Sequence, residues 1–511
     1  MAGIGLDWLV ALTAIGVVYY FYRRSLQRRR LPPGPRSLPI VGNDLDKHTL
    51  EVLEQWPHEY GEIMHLKRAR KHMIVLNTAA AAREILDKRS ANYSGRPYSF
   101  MTNEVMGWKW SFLVLAGEPW RERRAFFQKY FVGQVRSWQQ LQLVAAYQML
   151  RRLLESPQIF FTIAQLFAAD VVLQMGYGLS SKEKDDPLLA LIAQRNRITI
   201  SRVWHRLVDA FPILAHYPDW MPFSFQRDVR KFRELNFQFR DIPFQQVKAD
   251  MARGTASPSF VATLLQDLPE DESEARKQEE LIRDVAGNLY SAGSDTTANS
   301  IRTFILAMTL YPDVQRRVQE ELDAVVGTDR LPTFEDRSSL PYIECLLKEV
   351  FRWNAIVPLG AFPHASIDDD TYKGFDIPAG SSVTGNLWAI LHDPETFPNP
   401  EVFNPSRFLG PDSEYASNIV NMAFGWGKRV CPGKAVGEAS VFIAVALIAA
   451  AFTISNPRDE HGSEYIPEPR WTAGSARRPL PFKCTITCRS SQARSLILAL
   501  PEGWHSTWFS S

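Results

Sequence analysis

The strongest constraint on how this 511-residue chain folds is a glycine-rich loop that passes through one cysteine into a long apolar segment. The stretch reads AFGWGKRVCPGKAVGEASVFIAVALIAA, and its hydrophobic pattern predicts a helix over Gly433 to Ser455. Pro432, directly after Cys431, suits the first turn of that helix. The free N–H groups and the positive dipole end of a helix N-terminus stabilise a thiolate. Cys431 is therefore a candidate thiolate ligand of a metal centre, and the glycines allow the backbone to approach a flat ligand closely.

The same loop carries six fixed residues of a ten-residue pattern, F-G-x-G-x-R-x-C-x-G. They are Phe424, Gly425, Gly427, Arg429, Cys431 and Gly433. The segment resembles the signature of the cytochrome P-450 family. The resemblance implies a mainly α fold with small β-sheets (α+β) around haem b (iron protoporphyrin IX), with Cys431 as the axial thiolate. It also implies that Phe424 shields the sulfur, that Gly433 lets the backbone approach the ring, and that Arg429 offers a cation to a haem propionate.

A second pattern supports the resemblance. Glu349 and Arg352 lie three residues apart on one face of a predicted helix and resemble the family's E-x-x-R pair. Arg407, in HDPETFPNPEVFNPSRF, resembles the third member of the family's buried structural network. By spacing alone, Glu349 and Arg352 would be an ordinary surface pair. Ser406 stands where the family often has an acidic residue, which removes one local contact of the network.

Four further residues resemble the family's partners of the haem propionates, which require cationic or polar groups. Trp120 and Arg124 match a W-x-x-x-R pattern, while Arg96 (YSGRP) and His364 (FPHAS) lie where related chains place further donors. Without the signature, His364 would more often be a structural histidine, and the neighbouring arginines of WRERR could be solvated. With the signature present, propionate binding is the better interpretation of the four.

The segment NLYSAGSDTTANS lies inside a predicted helix and resembles the family's A/G-G-x-D/E-T-T motif. Glycine costs stability inside a helix, and the resemblance implies that Gly293 lets the helix bulge and admit O2. It also implies that Thr296 hydrogen-bonds the oxygen and that Asp295 helps to deliver protons. The alternative interpretation is a helix kink without a catalytic role.

Together these motifs imply a haem-dependent monooxygenase that inserts one oxygen atom from O2 into a C–H bond. Two alternatives stay open: a haem-thiolate isomerase, dehydratase or peroxygenase that needs no reductase, and a haem-binding sensor or carrier without turnover. No glycine-rich dinucleotide fingerprint follows a strand, so electrons must come from a separate protein. The resemblance implies NADPH-cytochrome reductase and admits cytochrome b5 as a second donor. The formal net charge of +2 gives no indication of nucleic-acid binding.

The N-terminus predicts a single membrane anchor. Residues Trp8 to Tyr22 are almost wholly apolar, five arginines follow by residue 30, and no lysine or arginine precedes the run. Such a run approaches the ~20 residues that span a bilayer, and the arginine flank places the rest on the cytosolic side, in contact with lipid. A cleaved signal peptide has its charge before the run, and a buried amphipathic helix would have a polar face. We expect a signal-anchor helix of the endoplasmic reticulum at 1–30, a proline-rich hinge at 31–43 and a haem-thiolate catalytic domain at 44–511.

The substrate is less constrained than the cofactor. The stretch SFMTNEVMGWKWSFLVLAGE is rich in Met, Trp, Phe and Leu and lies where the family lines its pocket. A mostly apolar pocket implies a mostly apolar substrate, although the same residues also suit core packing. NEVMGW (103–108) and RWN (352–354) resemble fungal members that act in secondary metabolism or on foreign hydrocarbons, which implies a terpenoid or polycyclic hydrocarbon. If Glu104 points inward, a cationic amine would fit instead.

The remaining pattern predicts one helix-rich body. It favours a strand over Met73 to Asn77, a helix over Ala79 to Arg89, and a long helix from about 281 to 311 that follows a polar stretch at 269–280. Because no CxxC pair occurs, the other cysteines are expected to be buried small apolar side chains. These are Cys345, Cys484 and Cys488.

Overall fold

The computed structural model describes residues 29–501, apart from 39–41, 44–48, 50, 69–70, 182–185, 199, 223, 411–412, 460 and 473–475. The anchor expected at 1–30 therefore lies almost wholly outside the described residues, as does part of the hinge expected at 31–43. The described chain is mainly helical with small β-sheets, which confirms the fold class predicted from the sequence.

Helices form most of the described chain. In chain order the α-helices are α1 Trp56–Tyr60, α2 Ala79–Ala82, α3 Glu118–Tyr130, α4 Val135–Glu155, α5 Phe160–Tyr177, α6 Pro187–Arg197, α7 Arg202–Ala210, α8 Gln226–Ala252, α9 Phe260–Gln266, α10 Glu272–Leu310, α11 Pro312–Val325, α12 Pro341–Trp353, α13 Leu387–Leu391, α14 Ser413–Val420, α15 Lys434–Ala451 and α16 Ser491–Ala499. Short 3₁₀ and π turns extend several of them. The helix predicted over Ala79 to Arg89 is α2 followed by a π-helical turn over Arg83–Lys88.

The strands form one four-stranded sheet and two pairs. They are β1 Ile63–Arg68, β2 Lys71–Leu76, β3 His364–Ala365, β4 Asp370–Tyr372, β5 Phe375–Ile377, β6 Ser382–Gly385, β7 Phe452–Ser455 and β8 Thr485–Cys488. The larger sheet has the order β1-β2-β6-β3, in which β2 and β6 run parallel and the other neighbours antiparallel. The strand predicted over Met73 to Asn77 is the buried part of β2. The sheet places His364 at its β3 edge, beside the candidate site.

α10 is the longest of these helices and packs against α5 in the core. It begins at Glu272 because the side chain of Asp271 accepts hydrogen bonds from the N–H groups of Ser273 and Glu274. The predicted start near residue 281 was therefore wrong. The polar stretch before it is the largely exposed beginning of the helix, and Ile282 is the first buried residue of α10.

α15 carries the candidate cysteine ligand at its N-terminal side and is apolar on all sides. It ends at Ala451, so the helix predicted as far as Ser455 was wrong at its end: Phe452–Ser455 form β7, which pairs with β8. Among the described residues, α15 and the segment Pro157–Tyr177 are long and apolar enough to cross a membrane, but both are mostly buried inside the protein. A helix that is hydrophobic all round and buried in this way is a core helix.

Candidate active site

The loop before α15 is fixed by its own backbone and by one neighbouring turn. The N–H of Cys431 donates to the carbonyl of Phe424 at 2.7 Å. Gly427 has a φ of 52°, and a side chain there would lie 2.3 Å from the carbonyl oxygen of Leu86. Its N–H donates to the carboxylate of Asp87 at 2.6 Å. Glycine is therefore required at 427, and the closed loop holds Cys431 in one position.

Cys431 lies immediately before α15. Pro432 occupies the connecting turn and Gly433 is the N-cap residue, so the proline precedes the first helical turn instead of occupying it as predicted. Burial is the largest effect and leaves the pKa of the Cys431 thiol raised, while the N–H of Gly433 and the charge of Arg124 partly oppose it. Those two interactions stabilise the thiolate form. A cation that binds the sulfur would displace its proton.

All four cysteines lie in the described part of the chain, and Cys431 alone has an exposed surface, although the surrounding protein is dense enough to raise the pKa of its thiol. Cys345 is buried, as the sequence led us to expect. Cys484 and Cys488 are half-buried and pack against the core, so the expectation of buried apolar side chains holds only in part for these two. The exposed thiol is therefore the one that the loop and the helix N-terminus present.

Arg429 and Trp120 form a stacked pair next to the cysteine. The guanidinium carbon of Arg429 lies 3.8 Å from the centroid of the Trp120 ring, and both residues are buried. Arg429 donates to the backbone carbonyls of Ser94 and Leu115, each at 2.8 Å. Arg96 likewise donates to three backbone carbonyls at 2.9 to 3.0 Å. Both arginines are thus held in place by carbonyls.

Three arginines form a cluster of positive charge here. Burial, together with repulsion from Arg96 and Arg124, lowers the pKa of Arg429 to about 8, and burial lowers the pKa of Arg96 to about 10. Within the described chain, none of the three makes an ion pair with a carboxylate, and Nε of Arg124 is buried without a hydrogen-bond partner. Buried cations without a counter-charge are unfavourable. The cluster therefore suits an anionic ligand that accepts several hydrogen bonds.

His364 joins this cluster from the edge of the sheet. Its Nδ1 lies 2.7 Å from the carbonyl oxygen of Tyr93, and since a carbonyl can only accept, Nδ1 carries a proton. Burial, followed by the charge of Arg96, lowers the pKa of His364 to about 3. The imidazole is consequently neutral, with Nε2 as an acceptor. The structure brings His364 together with the arginines that the sequence singled out.

The middle of α10 presents the residues of the predicted oxygen motif. Ala292 and Thr296 are exposed within a stretch of the helix that is otherwise largely buried. The hydroxyl of Thr296 donates to the carbonyl of Ala292 at 3.0 Å. Asp295 contacts α5 instead, where its carboxylate accepts a hydrogen bond from Gln165 at 3.0 Å. The hydroxyl and the carboxylate thus occupy different sides of the helix.

Gly293 does not produce the bulge that the sequence led us to expect. α10 is an unbroken α-helix from Glu272 to Leu310. A Cβ at position 293 would lie 2.6 Å from Cγ1 of Val172 on α5. Glycine is therefore needed at position 293 because any side chain there would collide with Val172 on α5.

Glu349, Arg352 and Arg407 meet in the core behind the cysteine loop. Arg352 and Glu349 are fully buried and form a bidentate ion pair at 2.7 and 2.8 Å. Arg407 donates to the same carboxylate at 3.2 Å, and the N–H of Asn404 donates to it at 2.8 Å. Further backbone carbonyls satisfy both guanidinium groups. The network joins α12 to the segment around residue 404 and fixes both.

Besides the network around Glu349, the structure contains another buried ionic cluster, centred on α10, which sequence reasoning missed. Asp284 is buried and accepts from Arg123 at 2.9 Å and from Arg240 at 3.2 Å. Arg123 of the WRERR segment is therefore ion-paired and not solvated. One turn later Asn288 donates to the Asp284 carbonyl at 2.7 Å. Asp284, Asn288 and Ala292 are spaced four residues apart, so they share one face of the helix. That spacing was the feature of the sequence that could have linked the buried cluster to the exposed strip at Ala292.

A mainly helical fold that presents a cysteine at a helix N-terminus, beside a cluster of buried arginines, is consistent with the haem-thiolate class of proteins. The family model described as Cytochrome P450 matches residues 32–485. The chain therefore belongs to the cytochrome P450 family.

Three of its relatives are fungal enzymes of similar length. Cytochrome P450 monooxygenase 98 of Postia placenta is 38% identical over 497 residues, which cover 94% of this chain and 95% of that protein. The tryptamine 4-monooxygenase of Psilocybe cyanescens is 37% identical, with 95% of this chain and 98% of that protein covered. Cytochrome P450 monooxygenase claR of Ampulloclitocybe clavipes is also 37% identical, with 95% and 91% covered. The chain is a haem-dependent monooxygenase that resembles fungal secondary-metabolism members, which disfavours the isomerase, peroxygenase and carrier alternatives.

Proposed function

We propose that Cys431 is the axial thiolate ligand of haem b and that the enzyme inserts one oxygen atom from O2 into a C–H bond of an apolar small molecule. The observation that carries the proposal is the exposed thiol at the start of α15, with the Gly433 amide directed at its sulfur. When bound, the haem supplies the oxygen activation, which thiolate ligation favours. The N–H of Gly433 tunes the sulfur, and Phe424, half-buried against Phe351 at 5.2 Å, excludes water from it.

The cationic cluster would hold the two haem propionates. Arg96, Arg124 and Arg429 provide charged donors, Trp120 fixes the Arg429 plane by stacking, and the unpartnered Nε of Arg124 has a donor to spare. His364 is an acceptor while neutral, so it would have to take up a proton to donate to a carboxylate. A neighbouring anion raises the pKa of a histidine and so favours that uptake.

Thr296 and Asp295 would control protons at the distal side. The Thr296 hydroxyl lies on the exposed strip of α10. There it can give up its hydrogen bond to the Ala292 carbonyl and donate instead to an oxygen atom of the substrate O2. Asp295, on the other side of the helix and held by Gln165, would pass protons from solvent toward it. The Glu349, Arg352 and Arg407 network would keep the cysteine side of the core rigid.

The substrate that we favour is a neutral apolar molecule, a terpenoid or a polycyclic hydrocarbon. By its name one relative acts on tryptamine, an amine, so the charge near the pocket matters. Glu104, which could have recognised a cation, already pairs with Lys109 at 3.2 Å and accepts from the hydroxyl of Tyr98 at 3.1 Å. Without a free carboxylate there, a cationic amine is disfavoured relative to a neutral substrate.

The protein would be anchored in the endoplasmic reticulum by the helix at 1–30, with the hinge at 31–43 and the catalytic domain at 44–511 on the cytosolic side. The apolar run and its arginine flank support this topology. Electrons would come from NADPH-cytochrome reductase, with cytochrome b5 as a second donor. Membranes that express the full chain should therefore consume NADPH only when that reductase is present.

The absorption spectrum of the reduced protein with carbon monoxide tests the ligand assignment. In membranes that express the chain, we expect the long-wavelength Soret band of thiolate-ligated haem, and we expect Cys431→Ala to lose it. Cys488→Ala is the matched control, because it removes a half-buried thiol elsewhere and should keep the band. A Cys431→Ala variant with the wild-type band and activity would overturn the assignment. Product formation without NADPH or reductase would instead support a peroxygenase.

A further inference from the structure

Asp295 is joined to a buried arginine through the amide of one glutamine. Nε2 of Gln165, on α5, donates to the carboxylate of Asp295 at 3.0 Å. Oε1 of the same amide accepts from Nη2 of Arg302 at 3.2 Å. Asp295 and Arg302 both belong to α10, and their separation of seven residues places them on one side of that helix. We call these three side chains the amide bridge.

The guanidinium group of Arg302 is fixed at all three of its nitrogens. Nε and Nη2 donate to the carbonyl of Phe161 on α5 at 3.2 and 2.6 Å, and Nη1 donates to the side chain of Asn299 at 2.9 Å. Arg302 is buried, which lowers its pKa to about 10, and the charge of Asp295 opposes part of that shift. The guanidinium is therefore a fixed partner against which the Gln165 amide must orient.

The fixed guanidinium decides which way the Gln165 amide points. A glutamine amide carries an NH2 donor and an oxygen acceptor on the same carbon. If the amide were turned over, its NH2 group would face the donors of Arg302 and its oxygen would face the carboxylate of Asp295. Both contacts would then be repulsive. The amide is thus held in the one orientation that offers a hydrogen-bond donor to Asp295.

The bond between Gln165 and Asp295 holds the carboxylate without locking it. Within the described part of the chain, neither Asp295 nor Arg302 forms an ion pair, so the neutral amide stands between the two charges. Breaking a buried ion pair is strongly unfavourable, whereas a hydrogen bond from an amide can be exchanged for one to water at a small net cost. Asp295 is half-exposed, so water can take the place of the amide.

We propose that Gln165, oriented by Arg302, is a positioning residue that holds the Asp295 carboxylate beside the oxygen site and releases it for proton transfer. When the bond to the amide opens, the carboxylate takes a proton from solvent and turns toward the hydroxyl of Thr296, its neighbour in the chain. When the bond forms again, the carboxylate returns to the same place for the next proton. The proposal rests on the proposed function in one respect, the role of Asp295 in proton delivery.

Gln165→Glu tests the amide bridge with almost no change in shape. Glutamate can still accept from Arg302, but it offers no donor and places a second negative charge next to Asp295, which repels that carboxylate. Membranes that contain the full chain and NADPH-cytochrome reductase are given NADPH and O2 without an added substrate, and Cys431→Ala membranes supply the background. O2 that receives two electrons and two protons leaves as H2O2, whereas four of each yield water. The rate of water formation therefore reports proton delivery.

The expected effect follows from the strength of the lost bond. A hydrogen bond to a charged group shifts an equilibrium by about tenfold or more, so Gln165→Glu should lower the rate of water formation about tenfold and raise the share of H2O2. The solvent isotope effect on that rate should increase, because proton transfer becomes the slow step. Gln148→Glu is the matched control. It adds the same charge at a half-buried glutamine of α4 whose amide donates to the Pro501 carbonyl, and it should behave as wild type.

Urea unfolding separates the contact from its chemical role. In Gln165→Glu with Asp295→Asn, the donor and the acceptor are exchanged and the hydrogen bond can form in reverse. This double variant should be more stable to urea than Gln165→Glu alone, while water formation stays low because an amide carries no proton. A double variant that is no more stable overturns the proposal. So does a wild-type rate and isotope effect in Gln165→Glu when Asp295→Asn is defective. Wild-type behaviour of Asp295→Asn would instead refute the proposed role of Asp295 itself.

Discussion

Replacing Gly293 by alanine tests which property of this glycine the enzyme needs. In the structure a Cβ at 293 would lie 2.6 Å from Cγ1 of Val172 and 3.8 Å from its Cβ. Val172 is buried on α5 and β-branched, and a helical backbone leaves valine one strongly preferred rotamer. Rotation of a flexible side chain therefore cannot relieve the contact, and either α5 or α10 must move.

The expected magnitude follows from two opposing effects. Alanine is favoured over glycine inside a helix by about 1 kcal/mol, whereas an extra methyl group in a packed core costs about 1–3 kcal/mol. Gly293→Ala should therefore lower the free energy of unfolding by roughly 0–2 kcal/mol. Val172→Ala alone should cost about 2–3 kcal/mol through lost burial and a cavity. In the double variant the new methyl group enters that cavity, so the two changes should couple favourably by about 1–3 kcal/mol.

Urea unfolding of the four forms, followed by circular dichroism, measures this coupling. The ratio of product to NADPH consumed is recorded on the same preparations. Additivity within about 0.5 kcal/mol would refute the packing explanation, because independent sites add to that accuracy. A double variant with restored stability but poor use of NADPH would show that the glycine has a second role at the oxygen site.

Three further predictions concern other parts of the structure. Glu349→Gln leaves the fully buried Arg352 without its counter-charge and should cost about 3–5 kcal/mol in urea unfolding; a loss below about 1 kcal/mol would contradict the assigned role of the network. Thr296→Ala should lower the amount of product formed per NADPH by at least about tenfold, while Thr296→Ser, which keeps the hydroxyl, should stay near wild type. An equal ratio of product to NADPH in the two variants would remove Thr296 from the proton path. Burial lowers the pKa of His392 to about 3, so the unfolded chain takes up a proton first as the pH falls. Stability should consequently decrease from about pH 6.5 downward by up to about 1.4 kcal/mol per unit, and His392→Gln should show a shallower decrease; an unchanged slope would contradict the assignment.

The parts of the site that the sequence predicted are those whose geometry is local. The loop around Cys431 closes on itself through a bond between residues seven positions apart, and Glu349 and Arg352 are neighbours on one helix. Such arrangements depend on spacing and on glycine positions, both of which are visible in the sequence. The contact of Arg407 with Glu349, 58 residues away, was accessible only through the family resemblance.

The parts that sequence reasoning missed depend on distant segments. Asp284 is paired with Arg123 and Arg240, 161 and 44 residues away, and nothing local distinguishes those arginines from solvated ones. The end of α15 is set by β8, which lies more than thirty residues beyond it. The role of Gly293 was also missed because it depends on a distant segment: the contact that requires glycine is made by a single side chain on α5.

The partners of the arginine cluster explain how the site can be both folded and positive. Arg96 and Arg429 bond to backbone carbonyls, which compensate part of the cost of burial but add no opposing charge. Carboxylates in the same places would supply an opposing charge and would thereby cancel the field that an anionic ligand needs. The unfavourable free energy of burial that remains is reflected in the lowered pKa of Arg429. The buried Nε of Arg124, which has no hydrogen-bond partner, adds to it. A dianionic ligand would remove that cost, so its binding and the stability of the fold must be linked. The positive cluster therefore favours binding of an anion but lowers the stability of the fold, and packing in the rest of the core has to offset that loss.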